Sequence, residues 1–299
     1  MGCNCFYQAY IWIKSYLLNS HEHQSYLKNV SKKRIRQRYR RYQWRSYINK
    51  KVSNSKWCVS YSVFDGEELL EPSILAIRDE VDHIQVLYQV HSWTGTHENK
   101  ELPVFLNKLK EKGLIDELIE FKSDFKDKPW HNELKKRNIG LTAAKKAKCD
   151  YFMTMDTDEF YFKNEFHKAK HEIVSNGLTH SYAMSENYGL KPTEKLIYVH
   201  TCCVPFFSKV HWFSRLGDNK KAPCLCDPTR MMLNYPFSKH YLLFCLSMQH
   251  MTRVRKDLLK KIVNSSGYDG KKRSGGGNLE TCLVDDVFNI LPYLNDDKQ

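Results

Sequence analysis

The sequence predicts an α/β protein built on a mostly parallel sheet covered by helices, with a basic, aromatic appendage in front of it. Three observations carry this. Short apolar runs alternate with amphipathic ones from residue 57 to residue 155. The fourth apolar run ends directly in carboxylates. The charge of the chain is concentrated in one early tract. Strand–helix alternation of this kind is what a parallel sheet needs, because each crossover must return over a face of the sheet.

The elements follow in order. Trp57 to Phe64 reads as a strand and Glu71 to Val81 as a helix, with Ile74, Ile77 and Arg78 in helical register. His83 to His91 is a second strand, and Leu102 to Lys112 a helix stopped by Gly113. Leu114 to Phe121 is a third strand, Asn132 to Lys148 a helix, and Tyr151 to Met155 a fourth strand. Beyond residue 175 the pattern is irregular, interrupted by Pro192, Pro205, Pro223, Pro228 and Pro236, and Ser274 to Gly277 reads as a mobile loop. The expected division is an appendage over 1–55 and a catalytic body over 56–299. The body splits into a nucleotide-binding half (56–162) and an acceptor-binding half (163–299).

The 299 residues are 41% hydrophobic and 27% charged, which excludes a collagen-like, low-complexity or wholly disordered chain. Of the formal net charge of +13, ten charges lie between Lys32 and Lys51 without a single acid, so the rest of the chain carries only +3. That tract is interleaved with Tyr39, Tyr42, Trp44 and Tyr47. Such a mixture suits peripheral contact with an anionic membrane, RNA stacking, or a solvated helix packed on the body. No run reaches the ~18 apolar residues of a membrane span; the nearest are Cys5 to Leu18, broken by Gln8 and Lys14, and Tyr241 to Met248. No basic start precedes the first apolar run, so a secretory signal is not expected, and Phe6 stands where a myristoylation pattern wants Ser or Thr. The expected location is cytoplasmic, with peripheral contact at the inner face of a membrane. Ten cysteines without a C-x-x-C are too few for a disulfide scaffold and wrongly spaced for structural zinc, so free thiols are expected.

The chemistry is concentrated in Cys149 to Phe160, where Asp156, Asp158 and Glu159 follow a buried strand. Open α/β sheets bind ligands at the carboxyl ends of their strands. Like charges packed so closely repel, and a cation is needed to hold them together. Carboxylates with few other protein ligands suit Mg²⁺ or Mn²⁺ shared with a diphosphate.

Residues 57–160 resemble the nucleotide-binding half of a GT-A glycosyltransferase of the family 2-like kind. The matching pieces are Ser62 to Leu69 after the first strand, Arg137-Asn138-Ile139-Gly140-Leu141 leading into Ala143, Ala144 and Ala147, and the D-x-D of Asp150 to Phe160. Cys226 to Arg230 and Gln249 to Asp257 are similar to segments of bacterial surface-polysaccharide transferases, so the resemblance covers residues 57–265, about two thirds of the chain. It implies that Asp65, Glu67, Arg137, Asn138 and Asp156 lie at the nucleotide-sugar. It also implies that Asp156 and Asp158 hold a divalent cation, with Glu159 supporting and His250 completing the site. The second strand's loop, Ser92 to Thr96, would also lie near the nucleotide, with Trp93-Thr94-Gly95 in place of the usual acidic pair. Arg137 and Asn138 read equally well as exposed helix residues.

Sugar transfer needs the leaving diphosphate neutralised and, for inversion, a carboxylate base for the acceptor hydroxyl. Asp227 is the candidate base, with Glu186 as its rival; an Asp-Pro turn held by Arg230 is the alternative for Asp227. Arg253, Arg255 and Lys256 read either as phosphate holders or as a solvated helix face. The resulting expectation is a metal-dependent transferase moving a sugar from a nucleotide-sugar donor to a glycan or lipid-linked glycan. The competing classes are a nucleotidyl or phosphoryl transferase using paired aspartates, and an RNA-binding protein working through the basic tract. No G-x-x-x-x-G-K-[ST] loop supports the former. The near-balanced charge of the rest argues against nucleic acid as a partner.

Overall fold

The computed structural model describes residues 21–196, 203–219, 222–255, 258 and 261, with side chains from residue 33 onward. The apolar stretch Cys5 to Leu18 and the Ser274–Gly277 loop lie outside the described residues. The chain divides into two compact units, Met1–Lys51 and Val52–Gln299.

In the first unit the basic tract lies on one long helix, α1 (His21–Ser53), which runs on past the division. Ile35, Tyr39, Tyr42, Trp44 and Tyr47 are exposed on it, and the Trp44 and Tyr47 rings sit 5.8 Å apart. Among the described residues no helix is long and apolar enough to cross a membrane.

The second unit is organised by one eight-stranded sheet. Its strands are β1 (Trp57–Val63), β2 (His83–Tyr88), β3 (Glu117–Glu120), β4 (Tyr151–Asp156), β5 (Glu159–Phe160), β6 (His180–Asn187), β7 (Cys203–Lys209) and β8 (His240–His250). The spatial order is β3-β2-β1-β4-β7-β6-β8-β5. The four strands expected from the sequence form one parallel block, with β1 between β2 and β4. Antiparallel junctions join β4 to β7, β7 to β6 and β8 to β5, while β6 and β8 are parallel. Parallel strands therefore make most of the pairings. This mixed, mostly parallel arrangement is the helix-flanked α/β sheet that the sequence predicts.

Helices α2 (Glu67–Ile77), α3 (Leu102–Glu111), α4 (Pro129–Lys146) and α5 (Lys163–Asn176) connect the strands. Strands β1 and β4 are buried almost end to end, as strands covered on both faces must be. Gly140 explains how α4 lies so close to the sheet. A Cβ there would meet Ser60 Oγ at 2.5 Å, and instead the Gln85 side chain donates to Gly140 O at 2.6 Å. Ala144 and Leu141 then pack with Cys58, Phe152, Leu216 and Met232; each large apolar side chain buried there contributes about 1.5–3 kcal/mol.

Four expectations change. Helix α2 begins at Glu67 rather than Glu71, because Gly66 in the left-handed region (φ 73°) ends the preceding loop and starts the helix at once. The third strand shrinks to Glu117–Glu120, the only stretch that β2 pairs along this sheet edge. The irregular region past residue 175 contains β6, β7 and β8, and the Tyr241–Met248 run is the body of a strand that mixes buried and open positions around a register shift against β6. The cysteines are not all free: Cys203 and Cys224 form a disulfide with Cα atoms 6.2 Å apart, while Cys58 and Cys149 remain as buried thiols.

Candidate active site at the carboxyl end of the parallel strands

The register brings Ser62 of β1 beside Asp156 of β4, so the loop after β1 and the acidic turn after β4 open at the same edge of the sheet. Asp65, Gly66 and Glu67 come from the first, Asp156 to Glu159 from the second. Helix α4 lays Glu133 and Arg137 along the rim. The antiparallel pairing of β5 with β8 sets Glu159 opposite His250.

Each acid has its own environment. Asp156 is partly exposed and accepts from Arg137 Nη2 at 3.1 Å; Arg230 Nη1 lies 3.9 Å from its other oxygen. Burial pushes the Asp156 carboxyl up, but Arg137 and Arg230 outweigh this and hold it below the ordinary value. Arg137 is itself buried and also donates to Glu133, one helical turn away, at 2.5 Å. It is therefore a fixed group of the site, not an exposed helix residue.

Asp158 is 1% exposed. Arg255 Nη2 donates to its Oδ2 at 2.7 Å and Lys261 Nζ at 3.0 Å. Burial raises this carboxyl, yet Lys261, Arg255 and His250 together keep it well below the usual carboxylate range. Arg255 is 2% exposed, which rules out the solvated-face reading of that position. It also faces Asp65, Nη1 to Oδ1 at 3.7 Å. Gly66 is needed where these groups meet, since a Cβ would lie 2.9 Å from both Arg255 Nη1 and Thr157 Oγ1.

Glu159, with Asp156 and Asp158, completes the acidic turn from inside. It is buried, grips Arg230 through both oxygens, and accepts the Asp156 backbone N–H at 3.1 Å. Arg230 also donates to Thr154 O at 2.7 Å. The Arg230–Glu159 pair thus fixes the direction in which Asp156 leaves the strand.

His250 presents one nitrogen to the acids. Its Nδ1 is 3.1 Å from Asn187 Oδ1, a carbonyl acceptor, which places the proton on Nδ1. Nε2 then faces Asp158 Oδ1 at 3.9 Å, and that oxygen is buried without a hydrogen-bond partner. As a neutral imidazole, His250 offers its Nε2 lone pair beside this orphaned carboxylate oxygen, and the two atoms make a nitrogen–oxygen donor pair of the kind a divalent metal takes. Asp156, Asp158 and His250 do not bring three ligand atoms within 4.8 Å of one another; among the described residues Cys203, Cys224 and Cys226 do.

The remaining sequence-predicted residues are placed as follows. Glu67 Oε1 accepts from Asn99 Nδ2 at 3.2 Å, tying the start of α2 to the segment after β2. Asn138 is turned away from the acids: its Oδ1 accepts from Leu216 N at 2.9 Å and its Nδ2 donates to Leu216 O at 3.2 Å, a clamp on the chain after β7. Asp227 is exposed, and its Oδ1 accepts from both N and Oγ1 of Thr229 at 2.8 Å. The turn so formed delivers Arg230 to Glu159, and the Asp227 charge reaches Arg137 and Arg230. Glu186 pairs with Lys195 at 3.1 Å and shares the Gln249 position of the β6–β8 register, one residue off the Asn187–His250 pair. Neighbouring strand residues point to opposite faces, so Glu186 is on the face away from His250.

Sequence reasoning missed Glu133, Lys136 and Lys261. Lys136 is fully buried beside Arg137, donating to Val63 O at 2.9 Å and Gln89 Oε1 at 3.1 Å, 5.5 Å from the Trp93 ring centroid. Burial, reinforced by Arg137, pushes its pKa down to about 7. The native amine therefore loses its proton near neutrality, while the unfolded chain keeps it to about 10.4. Between those values the unfolded state binds more protons, so stability rises with pH. In chemical denaturation from pH 7 to 10, the stability of the wild type relative to Lys136→Met is expected to climb by up to about 1.4 kcal/mol per pH unit. A flat difference would show that Lys136 keeps its ordinary pKa.

No protein-family model matches the chain, and no curated protein matches it. Solved structures do. The chain is similar to Staphylococcus aureus TarS (12% identity, TM-score 0.33, 44% of this chain and 22% of that one). It is also similar to TarS 1–349 in complex with UDP-GlcNAc (14%, 0.30, 45% and 35%). A third likeness is to GalNAc-T7 with UDP, GalNAc and Mn²⁺ (9%, 0.40, 66% and 44%). The chain spans less than half the length of each. At these identities and scores, such likenesses assign no role to any residue here.

Proposed function

We propose that this protein is a metal-dependent glycosyltransferase that moves a sugar from a nucleotide-sugar donor to a glycan or lipid-linked glycan. The observation that carries the reading is the pair of Asp158 Oδ1, buried and orphaned, and His250 Nε2, 3.9 Å away at the carboxyl end of the parallel strands. Asp158 and His250 would hold the cation, Mn²⁺ or Mg²⁺, with Asp156 at the open side and the donor diphosphate completing its shell. When bound, such a cation neutralises the charge that develops on the leaving diphosphate.

The chain's own residues do the rest. Arg137 and Arg230 fix Asp156 and add positive charge at the rim. Asp65 and Glu67, at the head of α2, bound the donor side. Asp227, exposed and held by Thr229, is the base that takes the acceptor hydroxyl proton. The test of the activity is nucleotide-sugar hydrolysis or transfer by the purified full chain across a panel of donors with Mn²⁺. Release of nucleoside diphosphate that chelation abolishes is expected; release from no donor overturns the reading. His250→Ala is expected to unfold at nearly the wild-type midpoint yet lose Mn²⁺-dependent nucleotide-sugar binding in calorimetry. Unchanged Mn²⁺ dependence would remove His250 from the site.

Helix α1 is read separately, as a peripheral anchor on an anionic membrane at the cytoplasmic face. Its exposed Tyr39, Tyr42 and Trp44 alternate with arginines, and each basic group near such a surface contributes about 1 kcal/mol. Co-sedimentation with phosphatidylserine vesicles at low salt, lost as salt screens it, is the expected result. Failure to sediment, or preferential retention on RNA, rejects a membrane anchor.

A further inference from the structure

We propose that Cys203, Cys224 and Cys226, as thiolates, form a binding site for a thiophilic divalent cation of the zinc class. Their three sulfurs lie within 4.8 Å of one another although Cys203 is at least 21 residues from the Cys224–Cys226 pair in sequence. A covalent crosslink needs two sulfurs; here three converge. Zinc–thiolate bonds of about 2.3 Å in tetrahedral geometry place sulfurs roughly 3.8 Å apart, so the bonded Cys203 and Cys224 sulfurs must separate to that spacing, which stays inside the reach of the cluster.

The scaffold under the sulfurs is built by the backbone. Cys203 opens β7 and is paired with Met184 of β6. Its N–H donates to Leu225 O at 3.3 Å, which draws the Cys224–Cys226 segment onto the strand. The Leu225 side chain is 78% exposed. Cys224 and Cys226, on either side of it, are half-buried. One residue further on, the Asp227–Thr229 turn and the buried Arg230 anchor the same segment to Glu159. Cys203 is buried and the other two are half-buried, which leaves one side for a fourth ligand from solvent.

Metal and disulfide are alternative states of one cluster. The structure holds Cys203 and Cys224 joined; an external dithiol that gives up two electrons and two protons, and is itself oxidised to a disulfide, cleaves that S–S bond to two thiols, whose protons pass to solvent when the sulfurs ligate the metal. A soft cation selects this sulfur cluster, whereas a hard Mn²⁺ or Mg²⁺ prefers the oxygen-rich acidic turn. The two sites are chemically distinct, and the sulfur site stands whether or not the chain transfers sugars.

The test uses the full chain, reduced with a phosphine, desalted without oxygen and titrated with Cd²⁺. One equivalent is expected to produce ultraviolet sulfur-to-metal charge-transfer absorption, which Zn²⁺ then displaces. Cys226→Ser should weaken this binding at least about tenfold, while Cys245→Ser and His250→Ala leave it intact. Independently of any variant, Zn²⁺ should protect Cys203, Cys224 and Cys226 of the wild type from alkylation, read by mass spectrometry. Absence of the band at one equivalent, an undiminished band in Cys226→Ser, or protection confined to other cysteines overturns the proposal.

Discussion

Asp227→Asn is expected to lower kcat by about 10²–10⁴-fold, the range for removing a general base, with nucleotide-sugar affinity unchanged. Asparagine keeps the side-chain oxygen that receives Thr229 N and Oγ1, so the turn that presents Arg230 survives. What is lost is the negative charge and the ability to take a proton. The discriminating readout is the split between kcat and KM, combined with single-turnover rates for donor hydrolysis and for transfer to an acceptor. A loss of donor binding in proportion to rate would mean that the turn is structural. Near-wild-type turnover would dismiss Asp227 as base. Glu186 is a poor substitute, because its carboxylate is tied to Lys195 and lies on the far face of β6 from His250.

Arg230→Ala is expected to destabilise the second unit by about 3–5 kcal/mol, the cost of leaving a buried charge without its partner. Glu159 is 2% exposed and would lose both its charge-assisted bonds, and Thr154 O would lose a donor at 2.7 Å. The double replacement Arg230→Met with Glu159→Gln should recover much of that loss, because no buried charge is then stranded. Urea unfolding of Arg230→Met, Glu159→Gln and the double variant measures the coupling. A penalty below about 1 kcal/mol for Arg230→Ala would show that the pair is solvated. The same logic governs Asp158: its replacement by alanine strands Arg255, so loss of metal binding in that variant would be mixed with unfolding. His250, 31% exposed at its side chain, is the cleaner probe.

The sequence by itself determined the order β1 to β4 and the edge of the sheet at which the acids emerge. Those features are local: alternating apolar runs, a glycine after a helix, and carboxylates following a buried strand within a few residues. It also singled out Asp156, Asp158 and His250, but only as a list. Tertiary structure decided what each side chain faces. Asn138, two residues before Gly140, is one helical position from Arg137, yet the helix turns one to the acids and the other to Leu216. Arg255, which the sequence leaves open between a phosphate holder and a solvated helix face, is among the most buried side chains. Strands β6 to β8 were invisible because their pairings join residues far apart in sequence, and β8 threads between β6 and β5. The three-cysteine cluster arises the same way: spacing along the chain rules out a local zinc motif, and only the crossing of β7 by the Cys224–Cys226 segment brings the sulfurs together. Periodicity reports what one segment buries; which charges and sulfurs meet depends on long-range pairing, and no window of sequence contains that.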